Sequence, residues 1–449
     1  MTNTEARTFA SELGEMIIIE MADFVQLFSE TFEIAAGTTR SNVPDTCPRW
    51  HQLRGMPFVS EPYEALAAVR DSAPPTVIGE FGGAPVWLVT RYDDARKVLV
   101  HPYVSNDFYD APWWVNKARD PQDATPDEYH HTRTLPLAME DERHARTRPA
   151  LVKAMSTRRV EAVAPFLEQT AADLLDGLPE TEPVDLHYRY AVPLGNATLA
   201  KVLGIPSDLS MTYPQWSDLL NFHMLDPQTA RVAAGKFYGF VASVMSAKRH
   251  SLADDGFSDL WRAHDDGVLS EFEIYGAAAL LMHAGQEATG VVTNGLACLL
   301  RHPRALAEVT SDLSKLAGRI DELIRFESPL RLTLPRHTNG PVELEGVTIP
   351  PRAYIVVSLA GANHDPAHFA SPDALDIDRD AGSHLAFGHG GHRCVGARLG
   401  TMVATTGLHA LLSRYPALRL ADPDQPIAWR PSTFSRRVAT MPVILGRTP

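Results

Sequence analysis

Apolar residues recur along this chain at two spacings, one helical and one alternating, and the two divide it unevenly. Pro62–Asp71 follows the helical spacing. Thr76–Thr90 holds two strand-like runs around a turn, and Asp93–Val100 returns to helix. Residues 101–137 show little periodicity but carry Tyr103, Phe108, Tyr109, Trp113, Trp114 and Tyr129, and that aromatic content suits a functional loop better than a disordered one. From 158 to 270 amphipathic runs such as Val160–Leu175 and Phe237–Lys248 alternate with Pro or Gly breaks. Glu273–Leu300 is nearly continuous in apolar residues, yet His283, Gln286, Glu287 and Asn294 interrupt it, which predicts one long buried helix of a large soluble protein rather than a membrane span. Val342–Pro350 reads as strand, and an apolar helical run extends from Val395 to Leu412.

The N-terminal region differs from the rest. In residues 16–28, Ile17, Ile18, Met21, Phe24, Val25 and Phe28 share one helical face opposite an acidic one, so the spacing predicts a docking helix, neither signal peptide nor membrane anchor. Pro44, Pro48 and Pro57 make an irregular connector. We therefore divide the chain into an extension, 1–55, and a single domain, 56–449.

Composition narrows the function classes. A hydrophobic share of 45% in 449 residues supplies ample core, and a formal charge of −14 argues against nucleic acid or an anionic membrane surface as general partners. Three cysteines, Cys47, Cys298 and Cys394, are too few and too scattered for a disulfide framework, which points to a reducing cytoplasm.

The densest chemistry lies in Phe387-Gly-His-Gly-Gly-His-Arg-Cys-Val-Gly396. Glycines at this density let the backbone pass close to a bulky flat object. Cys394 lies where a loop becomes a helix, so free N–H groups and the helix dipole favour a thiolate there, a metal ligand in waiting. The stretch resembles the haem-ligand loop of the cytochrome P450 family, whose pattern of Phe, two residues, Gly, three residues, Cys, one residue, Gly is filled by Phe387, Gly390, Cys394 and Gly396. The resemblance extends over roughly residues 58–447.

It implies a mainly α fold with a small β-rich subdomain, haem b (iron protoporphyrin IX) as cofactor, and Cys394 as the metal ligand. Phe387, Gly388, Gly396 and Ala284 then lie against the haem. His144 and Arg148, four apart on a helix, join Arg336 and His392 as the cationic set for its two propionates. Glu322 and Arg325 match the family's buried Glu-x-x-Arg pair, with Arg379 plausible as a third member. Leu280, His283, Leu332, Phe434, Trp113 and Trp114 are the expected substrate contacts.

Ala284-Gly-Gln-Glu-Ala-Thr289 resembles the family's oxygen-activation motif, with one departure. Glu287 fills the acid position, but Ala288 stands where a threonine hydroxyl is expected, and Thr289, one residue late, is rotated by about 100° around the helix axis. The proton relay through Glu287, Ala288 and Thr289 is therefore atypical. The substrate brings its own hydroxyl or amide, ordered water bridges from Glu287, or the reaction does without efficient oxygen insertion, as in coupling of aromatic groups. The resemblance thus implies a monooxygenase-type oxidoreductase tailoring a polar secondary metabolite with dioxygen and two external electrons. Ferredoxin and ferredoxin reductase are the implied partners, docking on a basic patch of Arg146, Lys153, Arg158, Arg159, Arg393 and Arg398. A non-catalytic P450-like partner protein is the alternative from another class, and the intact Cys394 and Glu287 argue against it.

Overall fold

The computed structural model describes residues 60–72, 75–81, 84–107, 136–179, 182–206, 209, 227–430, 432 and 434–446. The expected docking helix, its connector, and Trp113 and Trp114 lie outside the described residues.

The opening follows the predicted order of helix, hairpin and helix: α1 Pro62–Ser72, β1 Thr76–Phe81 paired antiparallel with β2 Ala84–Val89, and α2 Tyr92–Leu99. α2 carries Asp93 and Asp94 in its first turn and Arg96 and Lys97 in its last, the arrangement its dipole favours. Three later strands complete this sheet, β3 Val104–Ser105, β4 Arg336–Thr338 and β5 Tyr354–Val357, in the order β1-β2-β5-β4-β3. β2 and β5 run parallel (Val86 opposite Tyr354), which explains why all four β5 residues are buried. The register of β3 on β4, Ser105 opposite His337, brings Asn106 close to Arg336. The strand expected at 342–350 is a hairpin, Val342–Leu344 with Val347–Ile349, turning on Glu345 and Gly346, both at positive φ.

The helical body comprises α3 Asp141–Ala154, α4 Ala164–Asp176, α5 Val192–Leu203, α6 Pro227–Arg249, α7 Gly256–Asp265, α8 Glu271–Gly285, α9 Glu287–Arg301, α10 Leu316–Phe326 and α11 Ala397–Arg414. Leu199, Met245, Leu260, Met282, Val292, Leu296, Leu323, Val403 and Leu408 form one continuous core through these helices, each such side chain contributing about 1.5–3 kcal/mol relative to exposure. A hairpin of β6 Ala428–Trp429 and β7 Val438–Thr440 closes the described chain's C-terminal part.

The single helix predicted across 273–300 is interrupted. α8 starts in a capping box between Ser270 and Glu273 and stops at Gly285, and α9 starts at Glu287. At the break the Gln286 N–H turns to the carbonyls of Ala284 and His283 (3.3 Å to the latter), and the Thr289 N–H to Gln286 (3.0 Å), so the i−4 ladder lapses for one turn.

Candidate active site

The cysteine loop is shaped by two glycines at positive φ, Gly388 (70°) and Gly390 (76°). The Cys394 N–H donates to the Phe387 carbonyl (2.8 Å), tying the turn shut. Gly396 caps α11, and the N–H groups of Gly396 and Ala397 are directed at the sulfur. Cys394 is exposed and lines a cavity, with protein packed densely around the thiol. Burial pushes its pKa up; the two N–H groups, Arg148 and Arg393 pull the other way without prevailing. A sulfur held like this is completed by a cation.

One wall of the cavity is this loop, with Phe387, Gly388, Cys394 and Gly396. The opposite wall is the broken helix, presenting Leu280, Ala284, Glu287 and Ala288, and Leu332 and Phe434 close another side. His144, Arg148, Arg336 and His392 also line it. Residues scattered over nearly the whole chain therefore converge on one space.

The cytochrome P450 profile matches residues 209–429. The chain is 33% identical over 395 residues to the cytochrome P450 monooxygenase PikC of Streptomyces venezuelae, covering 87% of this chain and 92% of that protein. It is 32% identical to the 6-deoxyerythronolide B hydroxylase of Saccharopolyspora erythraea, covering 85% and 96%. The chain belongs to the cytochrome P450 family. Among solved structures, the tirandamycin C-bound P450 monooxygenase TamI aligns with a TM-score of 0.76 at 31% identity, covering 87% of this chain and 98% of that one. Members of the family bind haem b through a cysteine thiolate, and this P450 is a haem-thiolate monooxygenase.

The cavity margin suits a group carrying carboxylates. Arg336 is 7% exposed, its Nε has no hydrogen-bond partner among the described residues, and burial lowers its pKa to about 10, with Glu140 opposing the shift. A buried guanidinium N–H without an acceptor is costly until an anion reaches it. Arg148 donates to the Arg393 carbonyl, and the rings of His144 and His392 stack with centroids 4.0 Å apart. Sequence reasoning missed Glu140. Its carboxylate accepts from the Asn106 N–H (2.6 Å) and lies 3.4 Å from His392 Nε2, so a resident anion sits close to His392 and Arg336. Only the β3–β4 register, invisible in one dimension, puts Asn106 there. Arg336→Ala is expected to speed haem transfer to apomyoglobin by about ten- to a hundredfold, the loss of a charged hydrogen bond worth roughly 1.5–3 kcal/mol; an unchanged transfer rate would remove Arg336 from the site.

His144 titrates abnormally. Burial and the neighbouring His392 push its pKa down to about 4, with Glu140 opposing. A histidine depressed below its ordinary value of about 6.5 is neutral in the fold, while the unfolded chain takes up the proton, so stability falls as pH drops from about 6.5 towards 4. Thermal melting of haem-free protein should therefore lose midpoint more steeply over this window in wild type than in His144→Gln; parallel slopes would contradict the assignment.

On the broken helix, Ala288 faces the cavity and Thr289 does not. The Thr289 hydroxyl donates to the Gln286 carbonyl (2.7 Å) and its methyl packs on Gly195 of α5, so it is 3% exposed. The rotation expected of a hydroxyl one residue late is thus seen. His283 requires a correction, because its ring meets Phe237 of α6 edge-on at 6.0 Å and it is not among the cavity-lining residues. One position before Ala284, it is turned by about 100° away from the cavity.

Glu322 and Arg325 stand apart from the cavity, wholly buried. Arg325 donates from Nε to Glu322 Oε2 (2.6 Å) and from Nη2 to Oε1 (2.9 Å), and Arg379 Nε adds a bond to Oε1 at 3.2 Å. The expected basic patch also needs correction. Arg146 pairs with Glu273, Arg158 and Arg159 with Asp254, Arg398 with Glu161, and Lys153 approaches Asp259 at 3.9 Å. Exposed Arg393 alone of the six has no carboxylate partner among the described residues. Side-chain pairing across helices cancels charge that a linear count leaves standing.

Proposed function

We propose that this P450 hydroxylates a hydroxyl-bearing secondary metabolite of polyketide type, and that the substrate's own hydroxyl takes the place of the missing threonine. One observation carries the reading: Ala288 lines the cavity beside Glu287 while the hydroxyl of the next residue, Thr289, is spent on the Gln286 carbonyl. The names of two relatives support the substrate class, the 6-deoxyerythronolide B hydroxylase and the polyketide biosynthesis cytochrome P450 PksS of Bacillus subtilis, 27% identical.

In this reading haem b, when bound, supplies the iron at which dioxygen is reduced and split. Cys394 ligates it, and Arg336, Arg148, His144 and His392 hold its carboxylates. Phe387, Gly388, Gly396 and Ala284 leave room for the flat ring. Glu287 holds a proton at the cavity wall and hands it to an ordered water or the substrate hydroxyl. Leu280, Leu332 and Phe434 give the substrate an apolar seat. Electrons come from a ferredoxin and its reductase, docking around the exposed Arg393 rather than on the broad basic face the sequence suggested. Among the described residues no helix is long and apolar enough to cross a membrane, and we place the protein in the cytoplasm.

Turnover of a hydroxylated substrate and its deoxy analogue tests the reading. Product per electron pair should fall at least about tenfold with the analogue, equivalent to about 1.4 kcal/mol, with peroxide released instead, and Ala288→Thr should recover much of the loss. Equal coupling for both compounds would sink it.

A further inference from the structure

We infer that Arg437 is a positioning residue for Glu287, tying the proton-carrying carboxylate to the hairpin tip that walls the pocket. The inference rests on the proton-delivery role proposed for Glu287.

The tip between β6 and β7 is anchored on the strand-like segment 329–332. Leu330 pairs with Ser435, the Arg331 N–H donates to the Phe434 carbonyl (2.9 Å), and the Arg436 N–H donates to the Pro329 carbonyl (2.6 Å). The fully buried Arg331 guanidinium holds the same tip by donating to the Ser432 carbonyl and, at 3.0 Å, to that of Ser435. This anchoring is what places Phe434 in the cavity wall.

Arg437 follows three residues after Phe434 and runs the other way, across α9. Its side chain is 3% exposed, and its Nε lies 3.8 Å from Glu287 Oε1. A guanidinium that deep is costly unless an anion accompanies it, and the largely buried Glu287 carboxylate lies within ion-pair distance. α9 is shaped to let the side chain through. Gly290 shares a face with Glu287, and a Cβ there would sit 3.3 Å from both Cγ and Cδ of Arg437. Glycine inside a helix costs about 1 kcal/mol relative to alanine, and at this position the passage of the arginine stem accounts for it. Glu287 and Phe434 are therefore mechanically joined through one short tip, so that a ligand pressing on Phe434 moves the carboxylate with it.

Infrared spectra of the carbon monoxide complex of the reduced holoprotein test this, because the C–O stretch senses charge in the cavity. Arg437→Met should shift the band in protein that keeps Glu287, and by less than half as much in a Glu287→Gln background, a non-additivity expected only of coupled residues. Arg437→Lys should recover at least half of the shift. Gly290→Ala, which crowds the stem while keeping both charges, should shift the band in the same sense as Arg437→Met, and keeps the test open if Arg437→Met does not fold. Equal shifts in both backgrounds, or a band that neither Arg437→Met nor Gly290→Ala moves, overturns the tether while leaving Glu287 in place. A band unmoved by Glu287→Gln overturns the reading of Glu287 and the tether with it.

Discussion

Replacing Cys394 by alanine is expected to abolish the red-shifted Soret band of the reduced carbon monoxide complex, and turnover with it. The band would report thiolate ligation of the iron, and among the described residues Cys394 is the cavity's one cysteine. Cys298 offers no substitute: it is 2% exposed within α9, and burial pushes its thiol pKa well up. The histidines near the loop would give at most a nitrogen-ligated spectrum without the red shift. Metal binding and thiolate character are coupled here, because burial disfavours the bare anion and only a cation at sulfur reverses that. Retention of the same band in Cys394→Ala would end the assignment of ligand, cofactor site and mechanism together.

The second large effect is expected at a distance from the chemistry. Arg325→Ala should cost about 3–5 kcal/mol, because it strips the wholly buried Glu322 of its two-bond partner and leaves Arg379 as its one counter-charge among the described residues. Against a total stability of about 5–15 kcal/mol, that is enough to deplete folded holoprotein. The damage has a defined route to the haem loop. Arg325 Nη1 donates to the Asn363 carbonyl (2.7 Å), and the same asparagine's Oδ1 accepts from the Leu385 N–H (2.7 Å), two residues before Phe387. Denaturant midpoint and haem content should fall together in Arg325→Ala. A variant with both lowered by less than a surface substitution would show that Arg379 and the Asp376 N–H, which also reach Glu322, carry the load without it.

Within the described residues, the parts of the site legible in one dimension are those whose geometry is local. His144 and Arg148 share a face because a helix returns every four residues, and Ala288 and Thr289 diverge because successive helical residues are turned apart by about 100°. Charge fared worse. The six basic residues read as a docking patch were a count without partners, and five of them meet carboxylates from other segments of the chain. The long apolar run at 273–300 looked continuous because composition is blind to whether each N–H reaches a carbonyl four residues back.

The sequence and the family resemblance it carries determine a glycine-built loop around Cys394, the Glu322 and Arg325 pair, the set His144, Arg148, Arg336 and His392, and a helix with Ala288 in place of a threonine. Each is a short-range pattern that survives any correct folding of its neighbours. The tertiary structure alone decided that His283 turns to Phe237, that Glu140 and Asn106 enter the cationic cluster, that the helix parts at Gln286, and that Arg437 reaches Glu287 past Gly290. Those relations join segments far apart in the chain, and burial, which no single segment controls, sets the cost of leaving any of these charges without its partner.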